Sequence, residues 1–495
     1  MKTAGQYIES MRQMGFEIYL FGERIKDHVD HPIIRPTMNC VAATYELAQR
    51  PEYEHLLTAT SHLTGKRINR FCHIHQGLDD LVKKSKMCRM LGAYTGSCFQ
   101  RCVGMDTVNA LSIVTYDTDR KYGTEYHSRF LNFLRYVQDE DLICDGAMTD
   151  AKADRSLRPA EQPDPDQYLH VVEERSDGIR VRGAKLHQTG AVNSHEIIVM
   201  PTRAMREEDR DYAIAFAVPS DTTGIIYIYG RQSCDTRKTE GGDMDTGNIL
   251  YGGQECMVIF NEVFVPWERV FLYKEFEFAG ELVEKFAAYH RQSYACKAGI
   301  GDVLIGATQL IAEHQGTAKA SHIRDRILEM IHLNETIACC SLTCAHEGHR
   351  EPSGTYFVNP LWANVAKLNV TRFPYEIARL AQEVAGGLMV TMPSERDLKD
   401  PTIGPYVAKY LKGVEGFPAA DRARILRLIE NITLGMGAVC YLTESMHGAG
   451  SPQAQKIMIG RTANIDRMKT AAKRLCGINK TQSKCPAGKE ELYGS

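Results

Sequence analysis

The chain has 495 residues, 43% hydrophobic and 24% charged, with a net charge of −3. That length exceeds one compact core and implies about three lobes. The near-neutral balance excludes a strong overall field toward nucleic acid or anionic lipid. The first residues carry no apolar signal region, and no apolar run is long enough to span a bilayer. A cytoplasmic location is therefore expected, with no membrane partner and the fifteen cysteines reduced.

Residues 1–140 read as helical, with apolar groups at helical spacing around Asp79–Lys84 and Phe130–Leu134. A Pro/Asp-rich stretch from Arg158 to Asp166 marks an exposed loop or boundary. Residues 141–275 read as strands: Val171–Glu174, a turn at Asp177-Gly178, Ile179–Arg182, Ala213–Val218, Ile225–Tyr229, Met257–Phe260 and Val263–Val265. Short strands with turns between them predict a small barrel or sandwich. Residues 276–495 return to helix, with stripes at Ile327-Leu328-Ile331, Ile377-Leu380-Val384 and Ile425-Leu428-Ile429-Ile432.

Several motifs are absent or misleading. There is no phosphate loop and no C-x-x-C, and Gly299-Ile300-Gly301 lacks the third glycine and the preceding strand of a dinucleotide fingerprint. Cys339, Cys340 and Cys344 lie in an apolar helical stripe and read as buried packing, as do Cys72, His73 and His75. His346-Glu347-Gly348-His349 has the wrong spacing for a helical zinc pair.

Three segments concentrate chemistry. Cys98 and Cys102 stand at i and i+4, which a helix displays on one face, as two packed core cysteines or as soft thiolates able to ligate an iron–sulfur cluster. His290, Tyr294, Cys296 and Lys297 place an imidazole, a phenol, a thiol and an amine within eight residues. Glu444 opens a run from Thr443 to Pro452 that ends in small residues, a tight turn in which a carboxylate can act as base or simply be solvated. Met148, Thr149, His187, Gln188 and Thr189 set hydroxyls and backbone amides beside strands, which suits the polar edge of a flavin or an ordinary turn.

Taken in order, these segments resemble the 4-hydroxybutyryl-CoA dehydratase family. The resemblance runs through Val29–Pro32, Cys98–Asp106, Asp145–Asp150, Gly190–Glu196, Tyr229–Arg237, His290–Tyr294, Thr371–Glu376 and Thr443–Pro452. It implies an α+β multidomain, acyl-CoA dehydrogenase-like fold with a helical N-terminal domain, a central β-barrel and a C-terminal helical bundle. It also implies a homotetramer carrying FAD and a [4Fe–4S] cluster. Carried over, the cluster ligands are Cys98, Cys102, His290 and Cys296. The catalytic residues are His290, Glu444, Glu255, Tyr294 and Lys297, with Thr189 beside the flavin. By analogy with acyl-CoA dehydrogenases, Gly386 and Gly387 approach a neighbouring subunit's FAD. The family's pattern sets its last cysteine seven residues after the histidine; here the interval from His290 to Cys296 is six. Six residues land about 120° away on a regular helix. Ligation by both therefore requires a break or bulge near Tyr294.

The implied reaction removes water from 4-hydroxybutyryl-CoA to give crotonyl-CoA through a ketyl radical, with vinylacetyl-CoA isomerisation beside it. The thioester acidifies the α-hydrogen but not the β-hydrogen, and the C4 hydroxyl leaves poorly, so acid–base catalysis alone does not suffice. The alternatives are a cluster-free flavin monooxygenase of the 4-hydroxyphenylacetate type and a divergent acyl-CoA-binding homologue.

Overall fold

A computed structural model describes residues 1–230, 242–253 and 255–478, so the motif residues Arg231–Arg237 lie outside the described residues. The central region holds ten strands: β1 (Ile18–Leu20), β2 (Glu23–Ile25), β3 (Cys144–Ala147), β4 (His170–Arg175), β5 (Gly178–Thr189), β6 (Glu196–Val199), β7 (Ile214–Pro219), β8 (Ile225–Tyr229), β9 (Glu255–Pro266) and β10 (Val270–Tyr273). They form a six-stranded sheet in the order β2-β1-β8-β9-β5-β4 and a four-stranded sheet in the order β10-β7-β6-β3. Among the described residues no ladder closes these sheets into the expected barrel. The first 140 residues, expected to be helical, also donate β1 and β2. Buried Ile18 pairs with Tyr227 on the parallel neighbour β8.

Alternation explains the two long strands. In β5, Ile179 and Val181 face the core while the intervening arginines lie nearer solvent. In β9, Cys256, Val258 and Phe260 point inward, then the parity switches to Val263 and Val265. The switch is a bulge between Phe260 and Val263, where Glu262 takes φ 54°. One inserted residue flips every following side chain to the other face. What reads as two strands is therefore one bulged strand.

Helices flank the sheets. In Phe373–Ala385 the stripe Ile377, Leu380 and Val384 is buried as expected. In Ser321–His346, Ile327, Met330 and Leu333 face the core instead, while Leu328 and Ile331 are exposed. Cys344 is buried but Cys339 is exposed, so the three cysteines there share no packed face. Contrary to the sequence reading, stretches 276–314 and 419–447 are long and apolar enough to cross a membrane by length and composition. Most of each is buried inside the protein, where an all-round apolar helix serves as core.

Candidate active site

The site forms where a broken helix crosses an N-terminal one. Helix Phe276–Ser293 ends at Tyr294, whose backbone (φ −64°, ψ 0°) separates it from helix Ala295–His314. This is the interruption that the six-residue interval requires, and it turns Cys296 into one buried cluster with Phe99, Cys102 and Met105. The crossing is close because two glycines permit it. A Cβ on Gly92 would lie 2.2 Å from the Cys296 carbonyl oxygen, and one on Gly299 would lie 2.0 Å from that of Arg89.

Cys98 and Cys102 are not displayed on one helix. Gly96, at φ 57°, ends helix Leu78–Thr95, and Gln100, at φ 62°, redirects the chain so that the next helix begins at Cys102. A loop thiol and a first-turn thiol therefore stand where an i, i+4 pair was expected. Burial pushes the thiols of Cys98, Cys102 and Cys296 up; Cys296 adds to the rise at Cys102, and Cys102 to that at Cys98. Lys297 opposes the shift at all three. Among the described residues no three His, Cys, Asp or Glu side chains converge as a single-ion site. A cubane cluster is a larger body held mainly by cysteine thiolates. Three buried thiols in mutual electrostatic reach, with a cation beside them, fit it by donor type.

Glu444 stands on a short helix, Glu444–His447, that continues a π-type turn over Val439–Thr443. Its Oε2 pairs with Lys297 Nζ at 2.8 Å, and its buried Oε1 has no partner. The alternative of a solvated glutamate is thereby excluded. Lys297 Nζ also donates to the Cys440 carbonyl at 2.5 Å. Burial works against the charge on Lys297, but Glu444, Cys296 and Cys98 outweigh it and raise its pKa well above normal. Tyr294 Oη donates to the Glu444 carbonyl at 3.3 Å. Two further buried cations hold this run. Lys367 Nζ donates to the Ser445 carbonyl at 2.7 Å, and Arg291 Nε to that of Ala449 at 3.1 Å. Burial, with Lys297 and Arg291 nearby, pulls Lys367 down to about 7.

Glu255 opens β9 opposite Thr189, the last residue of β5. It accepts a hydrogen bond from Thr189 Oγ1, and the Glu444 carboxylate lies within electrostatic reach of it. Burial first, and then the charge of Glu444, pushes its carboxyl well above the usual range. Two carboxylates thus face each other in a buried setting that favours the neutral form of Glu255.

The expected flavin-edge residues gather at the same strand end. Leu186 N–H donates to the Thr149 carbonyl at 2.7 Å, and buried Lys185 donates to the Met148 carbonyl at 3.0 Å while pairing with Asp150 at 2.7 Å. His187 turns the strand at φ 59° and leaves its side chain exposed, Gln188 is buried, and His447 lies within electrostatic reach of His187. The Met148 and Thr149 carbonyls and the Thr189 hydroxyl are each engaged within the chain, which sets the polar character of this strand end. Gly386 and Gly387 follow helix Phe373–Ala385, where an added Cβ would meet nothing within 4 Å. Their surroundings within the chain do not join them to this edge.

His290 is buried on the last turn before the break, and its Nδ1 bonds Asp106. Asp106, Lys84 and Lys367 were not singled out from sequence. The available signal was a charge on an apolar helix face, as at Asp106 between Met105 and Val108.

Comparison with known proteins places these features in a family. Models described as 4-hydroxyphenylacetate 3-hydroxylase N terminal and C terminal match residues 3–272 and 279–477. The chain is 57% identical over 488 residues to the 4-hydroxybutyryl-CoA dehydratase/vinylacetyl-CoA-Delta-isomerase of Clostridium aminobutyricum, covering 97% of this chain and 100% of that one. Its fold matches an oxygen-tolerant archaeal 4-hydroxybutyryl-CoA dehydratase from N. maritimus with TM-score 0.95 and 53% identity, over 99% and 98% of the two chains. The oxygenase component of 4-hydroxyphenylacetate 3-monooxygenase, complexed with FAD, matches with TM-score 0.84 and 25% identity over 96% and 98%.

Proposed function

The chain belongs to the 4-hydroxyphenylacetate 3-hydroxylase family, in the branch of the 4-hydroxybutyryl-CoA dehydratases, and on that premise we propose that it dehydrates 4-hydroxybutyryl-CoA to crotonyl-CoA and isomerises vinylacetyl-CoA. The observation that carries the chemistry is the buried Glu444–Lys297 ion pair, which lies beside Glu255 and within electrostatic reach of the Cys98 and Cys296 thiols.

Cys98, Cys102, Cys296 and His290 would hold the [4Fe–4S] cluster. Met148, Thr149, His187, Gln188 and Thr189 would meet FAD, with Gly386 and Gly387 contributed by a neighbouring subunit of a homotetramer. When bound, these groups supply Lewis acidity toward the departing hydroxyl and one-electron chemistry for the unactivated β-position.

The protein's own residues manage protons and charge. Glu255, kept protonated by its surroundings, is a proton donor for the leaving C4 hydroxyl. Glu444 Oε1, an acceptor with no partner among the described residues, can take a proton beside the neighbouring carboxyl of Glu255. Lys297 offsets the charge this leaves on Glu444, and Tyr294 holds the backbone of Glu444 in place. His290, buried on the last turn before the helix break with no partner on Nε2 among the described residues, is the base for the α-proton, which the thioester acidifies. Lobes divided near residues 140 and 275, and a reducing cytoplasmic setting for the free buried cysteines, belong to the same proposal.

Anaerobically purified protein incubated with 4-hydroxybutyryl-CoA is expected to form crotonyl-CoA, read by chromatography. Failure to do so, combined with oxygen-dependent hydroxylation of a phenol, would replace this proposal with the monooxygenase one.

A further inference from the structure

The ring of His290 is held on three sides. Phe286, one turn earlier, stacks on it with centroids 5.3 Å apart and planes 17° apart. Tyr294 meets it edge-on at 5.4 Å. Nδ1 lies 2.9 Å from Asp106 Oδ2. Among the described residues Nε2 has no hydrogen-bond partner.

Asp106 is wholly buried and itself anchored. Lys84 Nζ pairs with its Oδ1 at 2.6 Å, and Ser293 Oγ donates to its Oδ2 at 2.8 Å. Lys84, also wholly buried, donates in addition to the Tyr289 carbonyl at 2.8 Å. The three residues come from three helices, Leu78–Thr95, Cys102–Tyr122 and Phe276–Ser293, so the carboxylate cannot move without repacking all of them.

An ionised carboxylate only accepts hydrogen bonds, and a lysine at 2.6 Å keeps this one ionised. The hydrogen between the ring and Asp106 therefore belongs to Nδ1, and a neutral ring then carries its lone pair on Nε2. Metal-bound histidines commonly donate their other ring N–H to such a carboxylate, which fixes tautomer and plane.

We propose that Asp106, anchored by Lys84 and Ser293, is the positioning residue that fixes His290 as the Nδ1–H tautomer and keeps Nε2 as its free nitrogen. The inference rests on the proposed use of His290 as cluster ligand or base.

The test uses Asp106→Asn and the double variant Lys84→Met/Asp106→Asn, which buries no unpaired charge and so remains informative if the single variant fails to fold. After anaerobic purification, both are expected to keep flavin but to hold iron about 10–100-fold more weakly than the parent chain. Crystal structures of the metal-free variants are expected to show the His290 ring turned about its Cβ–Cγ bond or split between two orientations, with Asp106→Glu partly restoring both properties. Unchanged iron retention together with an unmoved ring would overturn the proposal. If the parent chain itself retains no iron, the functional reading fails separately, and ring orientation alone decides this one: an unmoved ring overturns it, a turned ring supports it.

Discussion

Two buried ion-pair networks flank the helix break at Tyr294, and they are built to opposite ends. In one, Asp106 is paired with Lys84, bonded by His290 and Ser293, and completely enclosed. Burial pushes its carboxyl up, but Lys84 and His290 outweigh that and hold it below the usual range. In the other, Lys297 pairs with Glu444, and Glu255 beside them has no ion pair among the described residues. One Glu444 oxygen has no partner, and Glu255 is pushed well above normal. Each leaves one buried carboxylate oxygen without a hydrogen bond among the described residues, Asp106 Oδ1 and Glu444 Oε1. They differ in what stands beside it: Lys84 Nζ lies 2.6 Å from Asp106 Oδ1, whereas Lys297 pairs with the other oxygen of Glu444 and leaves Oε1 open to a proton.

That contrast makes different demands on substitution. Glu444→Gln keeps the shape but removes the acceptor, and turnover is expected to fall about 10²–10⁴-fold with flavin content and circular dichroism retained. Full turnover in that variant would erase the distinction. Lys84→Met strands a buried carboxylate in the closed network, so its cost is expected in stability, about 3–5 kcal/mol by denaturation. A variant as stable as the parent would show that Asp106 is not held as described.

Asp145 sharpens the comparison, because it is a buried carboxylate with no cation paired to it among the described residues. Its Oδ1 accepts from Gly146 N–H at 2.7 Å, its Oδ2 has no partner, and burial pushes it up to about 7. The unfolded chain releases this proton near pH 4 but the folded chain only near 7. Stability contributed by this group is present in full below about pH 4 and is lost as pH rises toward 7. Asp145→Asn should therefore gain on the parent across that window, by up to about 4 kcal/mol, in melts recorded at successive pH values. The smallest effect tests the helix crossing. Gly92→Ala forces a Cβ against the Cys296 carbonyl, which is expected to cost about 1–3 kcal/mol and lower the melting temperature.

Much of the site was legible because its members fall in short, chemically dense runs. Cys98, Cys102, Tyr294, Cys296, Lys297 and Glu444 were all named from such runs, and the fold brings them within reach of one another. The break near Tyr294, which helical geometry requires if the ligand set implied by the resemblance is to include both His290 and Cys296, is present. What escaped has a common cause. Lys84 stands among several charges of its helix, and Asp106 is one charge on a buried face whose partner His290 lies 184 positions away, so the pairing leaves only a faint local signal. Strands β1 and β2 are three residues each and make sense only beside β8, some two hundred residues later. The i, i+4 inference for Cys98 and Cys102 failed because Gln100 adopts a left-handed backbone that its side chain does not advertise.

The central claim is that these buried thiols hold an iron–sulfur cluster next to a flavin. Iron, acid-labile sulfide and FAD measured together on anaerobically purified protein test it most directly. About four irons, about four sulfides and about one FAD per chain are predicted, with the iron lost in Cys102→Ser. FAD at full stoichiometry with no iron or sulfide would contradict the account.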